Sequence, residues 1–373
     1  MWYSWVSQLR LHHKSINYPV CTQSTLLSMN DVIYLIIGIL ILGTVSYDLI
    51  YTTFSPRGAG FVSRSVSTVI WRSLFWLSRL FKYSKMLNGA GIIIVVSILL
   101  SWVMMLWIGN AFIFLSDTDA VVNSTTKVPA GLVERIYFTG YNLSTMGNGD
   151  YMAGTDGWRI YTAFISFSGL IMITIGVTYM VPVLSAITSR RALSIRITSI
   201  GQSPQLMLLN NWNGSDFKQL ESHFENLAQP VAEQGQSHLA YPVLHFFHHT
   251  DKEAALLPNL AALDEAITIL LLFVPEDKRP ANNVIIPLRQ AITTFLGSLT
   301  VLYLDPSSVQ EPSLNIKKLQ ESDIPLEKPD TYKIEKLNKR RRILKAMLDY
   351  DGWEWDEVSA PAFDPKMDLP EMV

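Results

Sequence analysis

The chain has a single cysteine, Cys21, among 373 residues, so no disulfide can close within it and no cysteine-rich metal site can form. It also lacks a basic surplus. Thirty Lys and Arg against 32 Asp and Glu leave a net charge of −2, which excludes the broad positive surface of a nucleic-acid binder. No glycine-rich strand–turn–helix fingerprint is present, so a nucleotide-binding α/β domain is not expected. No paired acid and base and no activated nucleophile stands out, so an enzyme is not expected either. Residues 1–28 lack the apolar core of a signal peptide, and a start at Met29 would remove them altogether. Charge is scarce, at 17% of residues against 49% hydrophobic, and most of it lies after residue 200.

What the first half holds instead is long apolar runs. Crossing ~30 Å of hydrocarbon takes about 20 mostly apolar residues. Three segments qualify: Val32–Tyr51, with Asp48 near its end, and the uncharged Gly91–Leu115 and Ile160–Ile187. Later runs such as Ile267–Val274 are too short and read as buried core. Between the first two spans lie Arg57, Arg64, Arg72, Arg79, Lys82 and Lys85 without an acidic residue, and Arg190, Arg191 and Arg196 follow the third. The loop between the second and third spans carries Asp117, Asp119, Glu134, Asp150 and Asp156 against Lys127, Arg135 and Arg159. By the positive-inside rule that loop is external and the C-terminal half cytoplasmic, in the plasma membrane. Parity then puts the N-terminus outside, which Arg10 and Lys14 oppose. Within Phe61–Lys85, Arg64, Arg72, Arg79 and Lys82 share one side of a helix, the pattern of an amphipathic helix lying among anionic lipid headgroups.

The external loop contains Ile136 to Asp150, IYFTGYNLSTMGNGD. Pro129 is expected to open a short helix, apolar through Ile136, Tyr137, Phe138 and Tyr141, which ends in Ser144-Thr145-Met146-Gly147-Asn148-Gly149-Asp150. Glycines at alternate positions let successive carbonyls turn to the same side, a conformation that a Cβ resists. A column of carbonyls, with the Thr145 hydroxyl below it, can replace the water around a cation.

These residues resemble the threonine-variable-glycine-aromatic-glycine-aspartate filter of potassium channels, usually TVGYG. The flanking spans agree, and the resemblance covers residues 90–195. It implies a filter of Thr145, Met146, Gly147, Asn148 and Gly149, supported by Ser144, Asp150 and Tyr141. It also implies a gate in the following span at Gly169, Gly176 and Pro182. Gly169 and Gly176 serve equally as close-packing sites. One pore loop per chain implies a homotetramer, with K+ or Na+ passing through and no other cofactor. Two residues depart from the family. Met146 replaces the usual valine or isoleucine. Asn148 replaces the aromatic that wedges the filter to width, and it should bond to neighbours instead. Potassium is favoured because Thr145 and both glycines remain. The alternatives are a weakly selective sodium/potassium or calcium-permeable channel, and a receptor or adaptor that keeps the architecture without conducting.

The second half reads as helical, with a helix behind Ser215 and Asp216 through Phe217, Leu220, Phe224 and Leu227, and others at Leu260–Phe273, Pro287–Leu304 and Tyr332–Tyr350. It should bind a ligand that the sequence does not name. His245, His248 and His249 would share a helix face and are weak metal candidates, read as structural histidines. Lys339-Arg340-Arg341-Arg342 reads as a solvated face. The expected whole is an all-α membrane protein with a span–pore helix–filter–span domain, one extra N-terminal span, an interfacial amphipathic helix and a mainly helical cytoplasmic domain. Its boundaries are a tail at 1–30, the first span at 31–52 and the interfacial segment at 53–89. The pore domain spans 90–195, with an outer helix at 91–115, pore helix and filter at 129–150 and an inner helix at 160–187. The cytoplasmic domain covers 196–358, and a loose tail 359–373.

Overall fold

The computed structural model describes residues 28–55, 58–81, 84–303, 309–329 and 331–359. The readings for Cys21, Arg10, Lys14, Arg57, Lys82, the side chain of Lys85 and the tail after Ser359 lie outside the described residues.

Helix α1 (Met29–Phe54) begins at a capping box, in which Ser28 Oγ accepts the Asp31 N–H while the Asp31 carboxylate accepts the Ser28 N–H. Helix α2 (Phe61–Phe81) follows, and its first turn is capped from α1. The buried Asp48 carboxylate accepts the N–H of Val62 at 2.8 Å, the N–H and hydroxyl of Ser63, and Trp102 Nε1 at 2.8 Å. A carboxylate in an apolar span thus finds four donors, two of them helix-start N–H groups that would otherwise lack partners. Buried on α2 are Ser63, Ser67, Trp71 and Ser78, while Arg64, Arg72 and Arg79 stay exposed beside Phe61, Val69, Trp76 and Leu80.

After a short 3-10 turn come α3 (Ala90–Leu115), α4 (Leu132–Leu143) and α5 (Asp156–Ile200). Strands β1 (Val121–Asn123) and β2 (Tyr151–Ala153) pair antiparallel, Val121 opposite Ala153, so the fold is mainly helical with a small sheet that the all-α expectation lacked. The third span is longer than expected, since α5 runs unbroken past Pro182 to Ile200. Large apolar side chains on α1, α3 and α5 remain uncovered, among them Leu40, Ile92, Phe164, Ile173 and Val177.

The C-terminal unit comprises α6 (Pro204–Leu209), α7 (Leu220–Ala240), α8 (Leu256–Phe273), α9 (Asn282–Tyr303), α10 (Lys317–Gln320), α11 (Thr331–Asp351) and α12 (Trp355–Ser359). By length and composition four described helices could cross a membrane, but α8 is already 94% buried among its neighbours, whereas the other three are 22–33% buried. It is the core of this unit, as its run of apolar residues suggested. Helix α7 is capped at Gln219, three residues after the expected Asp216, because Asn213 ties Ser215 and Asp216 into a turn of their own. Pro287 lies within α9 and does not start it.

Of the basic run expected to be a solvated face, Lys339 is exposed but Arg340 and Arg341 turn inward. Arg340 grips the fully buried Asp264 with three hydrogen bonds of 2.6–2.8 Å, and the buried Arg341 pairs with Glu265 at 2.7 and 2.8 Å. Asp264 and Glu265 sit mid-way along the apolar α8, and buried carboxylates there require cations. Arg341→Ala should therefore cost about 3–5 kcal/mol by stranding Glu265. Thermal unfolding of the purified protein checks this, and Arg341→Met with Glu265→Leu should recover most of the loss.

Candidate functional site

Helix α4 is short and firmly placed. It starts at Leu132, not at Pro129, which instead bridges to Val122 beside the sheet. The Glu134 carboxylate closes back on the Gly131 N–H. Arg135 is buried, and its guanidinium donates to the carbonyls of Ala130, Phe114, Asp117 and Thr118 at 2.9–3.1 Å. Three of those carbonyls belong to the end of α3 or the turn after it, so one side chain caps α3 and fixes α4 against it. Trp107 Nε1 adds a bond to the Ile136 carbonyl at 2.9 Å.

From this helix the chain leaves as irregular backbone over 144–150. The N–H groups of Ser144, Thr145 and Met146 close on the carbonyls of Gly140, Asn142 and Tyr141 at 2.8–3.0 Å. Beyond them the backbone is left-handed at every second residue, with φ of +60° at Thr145, +61° at Gly147 and +80° at Gly149. Among the described residues, the carbonyls of Thr145 through Gly149 and the Thr145 hydroxyl take part in no hydrogen bond. All of Ser144–Asp150 is exposed in the single chain. Thr145 bears a Cβ in a conformation that costs roughly 1–2 kcal/mol, which the flanking bonds must hold.

The rear of the segment is tethered. Asn148 Nδ2 donates to the Tyr137 hydroxyl at 2.5 Å, so this side chain bonds to a neighbour on α4, as its size suggested. The Tyr141 hydroxyl donates to the Tyr151 carbonyl at 2.6 Å, and the Ser124 N–H to the Asp150 carbonyl at 2.9 Å. Ser144 turns its hydroxyl back to the Tyr141 carbonyl. The sheet and α4 thereby fix both ends. Beside α4, an apolar cleft of about 470 Å³ lies among Trp107, Tyr137, Tyr141, Gly169 and Met172.

The three residues expected as gate elements all lie on α5, in different surroundings. A Cβ on Gly169 would lie 1.9 Å from the Leu143 carbonyl oxygen, so Gly169 is the seat of α4's last turn on α5. A Cβ on Gly176 would make only an ordinary contact, 3.4 Å from Leu99. Pro182 leaves α5 continuous. The histidines do not share a helix face: Pro242–Phe246 is a 3-10 turn and the chain after it is irregular, so α-helical spacing fails. His245 and His248 are buried and His249 is half-buried, and no group of three metal-ligating side chains occurs among the described residues. Tyr137 was expected beside Asn148, but Arg135 was counted only among the loop charges. The signal for Arg135 was a lone cation at the start of an apolar segment, which burial obliges to find acceptors.

The two glycines should separate experimentally. Gly169→Ala must push α4 from α5 and should destabilise by about 1–3 kcal/mol, whereas Gly176→Ala should stay within about 0.5 kcal/mol of the parent. Melting temperatures of the two purified variants provide the comparison.

No family model matches the chain, and no solved structure matches it. It is 30% identical over 339 residues, covering 89% of this chain and 99% of the relative, to the uncharacterized membrane protein YdjJ of Bacillus subtilis (strain 168). With its long apolar helices, the chain is a helical membrane protein belonging to the family of YdjJ.

Proposed function

We propose that the chain is one subunit of a homotetrameric pore-loop cation channel that conducts potassium, with α3 as outer helix, α4 as pore helix, residues 145–149 as filter and α5 as inner helix. The observation that carries this reading is the run of left-handed residues at 145, 147 and 149 with unpartnered carbonyls between. Backbone of this kind at membrane depth must line a polar path or be buried in protein, because lipid offers it no hydrogen bonds. A single chain supplies only one such strand, so equivalent strands from four copies would ring an axis. The C-terminal end of α4, partially negative by its helix dipole, stands next to the filter and favours a cation.

In this reading the loop 116–158 is external, and the C-terminal unit is cytoplasmic and controls the inner helix through a ligand still to be found. The exposed Arg64, Arg72 and Arg79 of α2 lie among anionic headgroups of the plasma membrane, with its exposed aromatic side chains entering the apolar layer. The Asn148–Tyr137 bond takes the place of an aromatic wedge and should give a modest potassium preference.

Flux from liposomes holding the purified protein, under separate potassium, sodium and calcium gradients, tests the reading. Potassium should pass, and Gly149→Ala should abolish it while assembly persists. Nothing crowds a Cβ at Gly149, so the effect would come from the left-handed backbone alone. Unchanged flux in that variant would remove the filter from these residues, and a protein that passes no ion would favour the non-conducting receptor. Tyr137→Phe removes one hydrogen bond worth about 1 kcal/mol and should lower the potassium-to-sodium permeability ratio about fivefold. Reversal potentials measure it.

A further inference from the structure

The segment after α7 joins the C-terminal unit to the membrane helices. Phe246 packs on Trp71 of α2 with ring centroids 5.6 Å apart. Phe247 fills the space where a Cβ on Gly91 of α3 would sit. The Thr250 N–H and hydroxyl bond the Asn88 amide at 3.0 Å. The lower part of α5 contributes Arg190, which is buried and donates Nη1 to the carbonyls of Leu244 and Phe247 at 2.6 and 3.0 Å. Its Nε has no hydrogen-bond partner among the described residues.

We propose that this contact is an acid-labile latch: protonation of the histidines packed around Arg190 releases the C-terminal unit from α5.

His238 of α7 is buried, and its Nδ1 lies 3.1 Å from the Gln234 carbonyl. His245 is buried against the Tyr350 ring of α11, with centroids 4.8 Å apart. His249 is half-buried and faces Arg190, Arg191 and Asp251. Among these groups lies the buried anion Asp351 of α11, whose Oδ2 is 3.6 Å from His248 Nδ1 and which also faces Arg190 and His245. From α2, Arg72 faces Tyr350 and adds a further positive charge. One buried carboxylate thus faces the permanent cation Arg190 and the buried imidazoles of His245 and His248, while His238 and His249 face Arg190, so added protons outnumber the available anion.

The sign follows. Burial, reinforced by Arg190, pushes His245 down to about 4 and His238 well below the usual histidine range, and lowers His249 as well. The docked state therefore holds neutral rings, while undocked rings would titrate near the ordinary 6.5. Docking is complete above about pH 6.5 and weakens as pH falls toward 4. His245 alone shifts the docking equilibrium about 30-fold between pH 8 and pH 5. That this would alter conduction rests on the reading of α5 as inner helix, but the latch itself does not.

Hydrogen–deuterium exchange on the full chain in detergent, corrected for the intrinsic pH dependence of exchange, measures the latch directly. Amides of 242–250 should open about 30-fold or more at pH 5 relative to pH 8, with α1 and α3 unchanged. His245→Phe keeps an aromatic ring on Tyr350 but takes no proton, and should remove about 30-fold of that response. Should it fail to fold, His245→Gln makes the same comparison. Equal corrected exchange at both pH values, or a full response in the folded variant, would overturn the latch. Liposome flux at the two pH values separates the readings: acid-dependent exchange without any flux would sink the channel alone, and pH-independent exchange with flux the latch alone.

Discussion

Backbone carbonyls without a hydrogen-bond partner among the described residues are the constraint on which this account turns. Helices satisfy their peptide groups internally and can stand in lipid, but residues 145–149 do not. Their left-handed positions prevent a helix from continuing and leave carbonyls with no hydrogen-bond partner among the described residues. Cations, and the same strands of other copies, supply that group in the proposed pore. The strain at Thr145 is tolerated because the N–H groups before it are bonded to α4 and the chain after it is pinned to the sheet.

The surrounding helices are joined by polar contacts placed where apolar packing alone would let them slide. Arg135 ties α4 to the end of α3, and Gly169 lets α4 rest directly on α5. Asp48 joins α1, the start of α2 and Trp102 of α3. The buried Trp102 in turn meets Tyr179 of α5 edge-on at 6.3 Å, and Tyr179 meets Tyr241, just before the segment that holds Arg190. Contacts thus run without a gap from the first helix to the C-terminal unit, through side chains that have little room to move separately.

Much of the architecture was legible because membrane spans are written in long uncharged runs that few other structures use. The three spans, α2 and the main C-terminal helices lie close to where hydropathy and periodicity put them. Helix starts were less legible. Pro129 and Asp216 have the chemistry of helix starts, but a strand bridge and an asparagine turn claimed them. The His245–His249 spacing suggested one helix face only on the assumption of an α-helix, which Pro242 and the 3-10 turn remove. Arg340 and Arg341 read as solvated because their partners, Asp264 and Glu265, are distant in sequence. Two adjacent carboxylates inside an apolar helix were the available sign that buried cations must exist. Gly169 could be read as a hinge or a seat, and the approach of the Leu143 carbonyl, which shows the seat, comes from a residue distant in sequence.

The central claim is that the carbonyls of Thr145 through Gly149 face a shared axis and hold cations. A single-particle reconstruction of the full chain in potassium, repeated in rubidium or thallium, tests it most directly. The account predicts four copies around one axis, with ion density between the carbonyl rings that grows stronger with the heavier ion. An assembly that leaves these carbonyls bonded to protein groups, or turned away from any common axis, would contradict it.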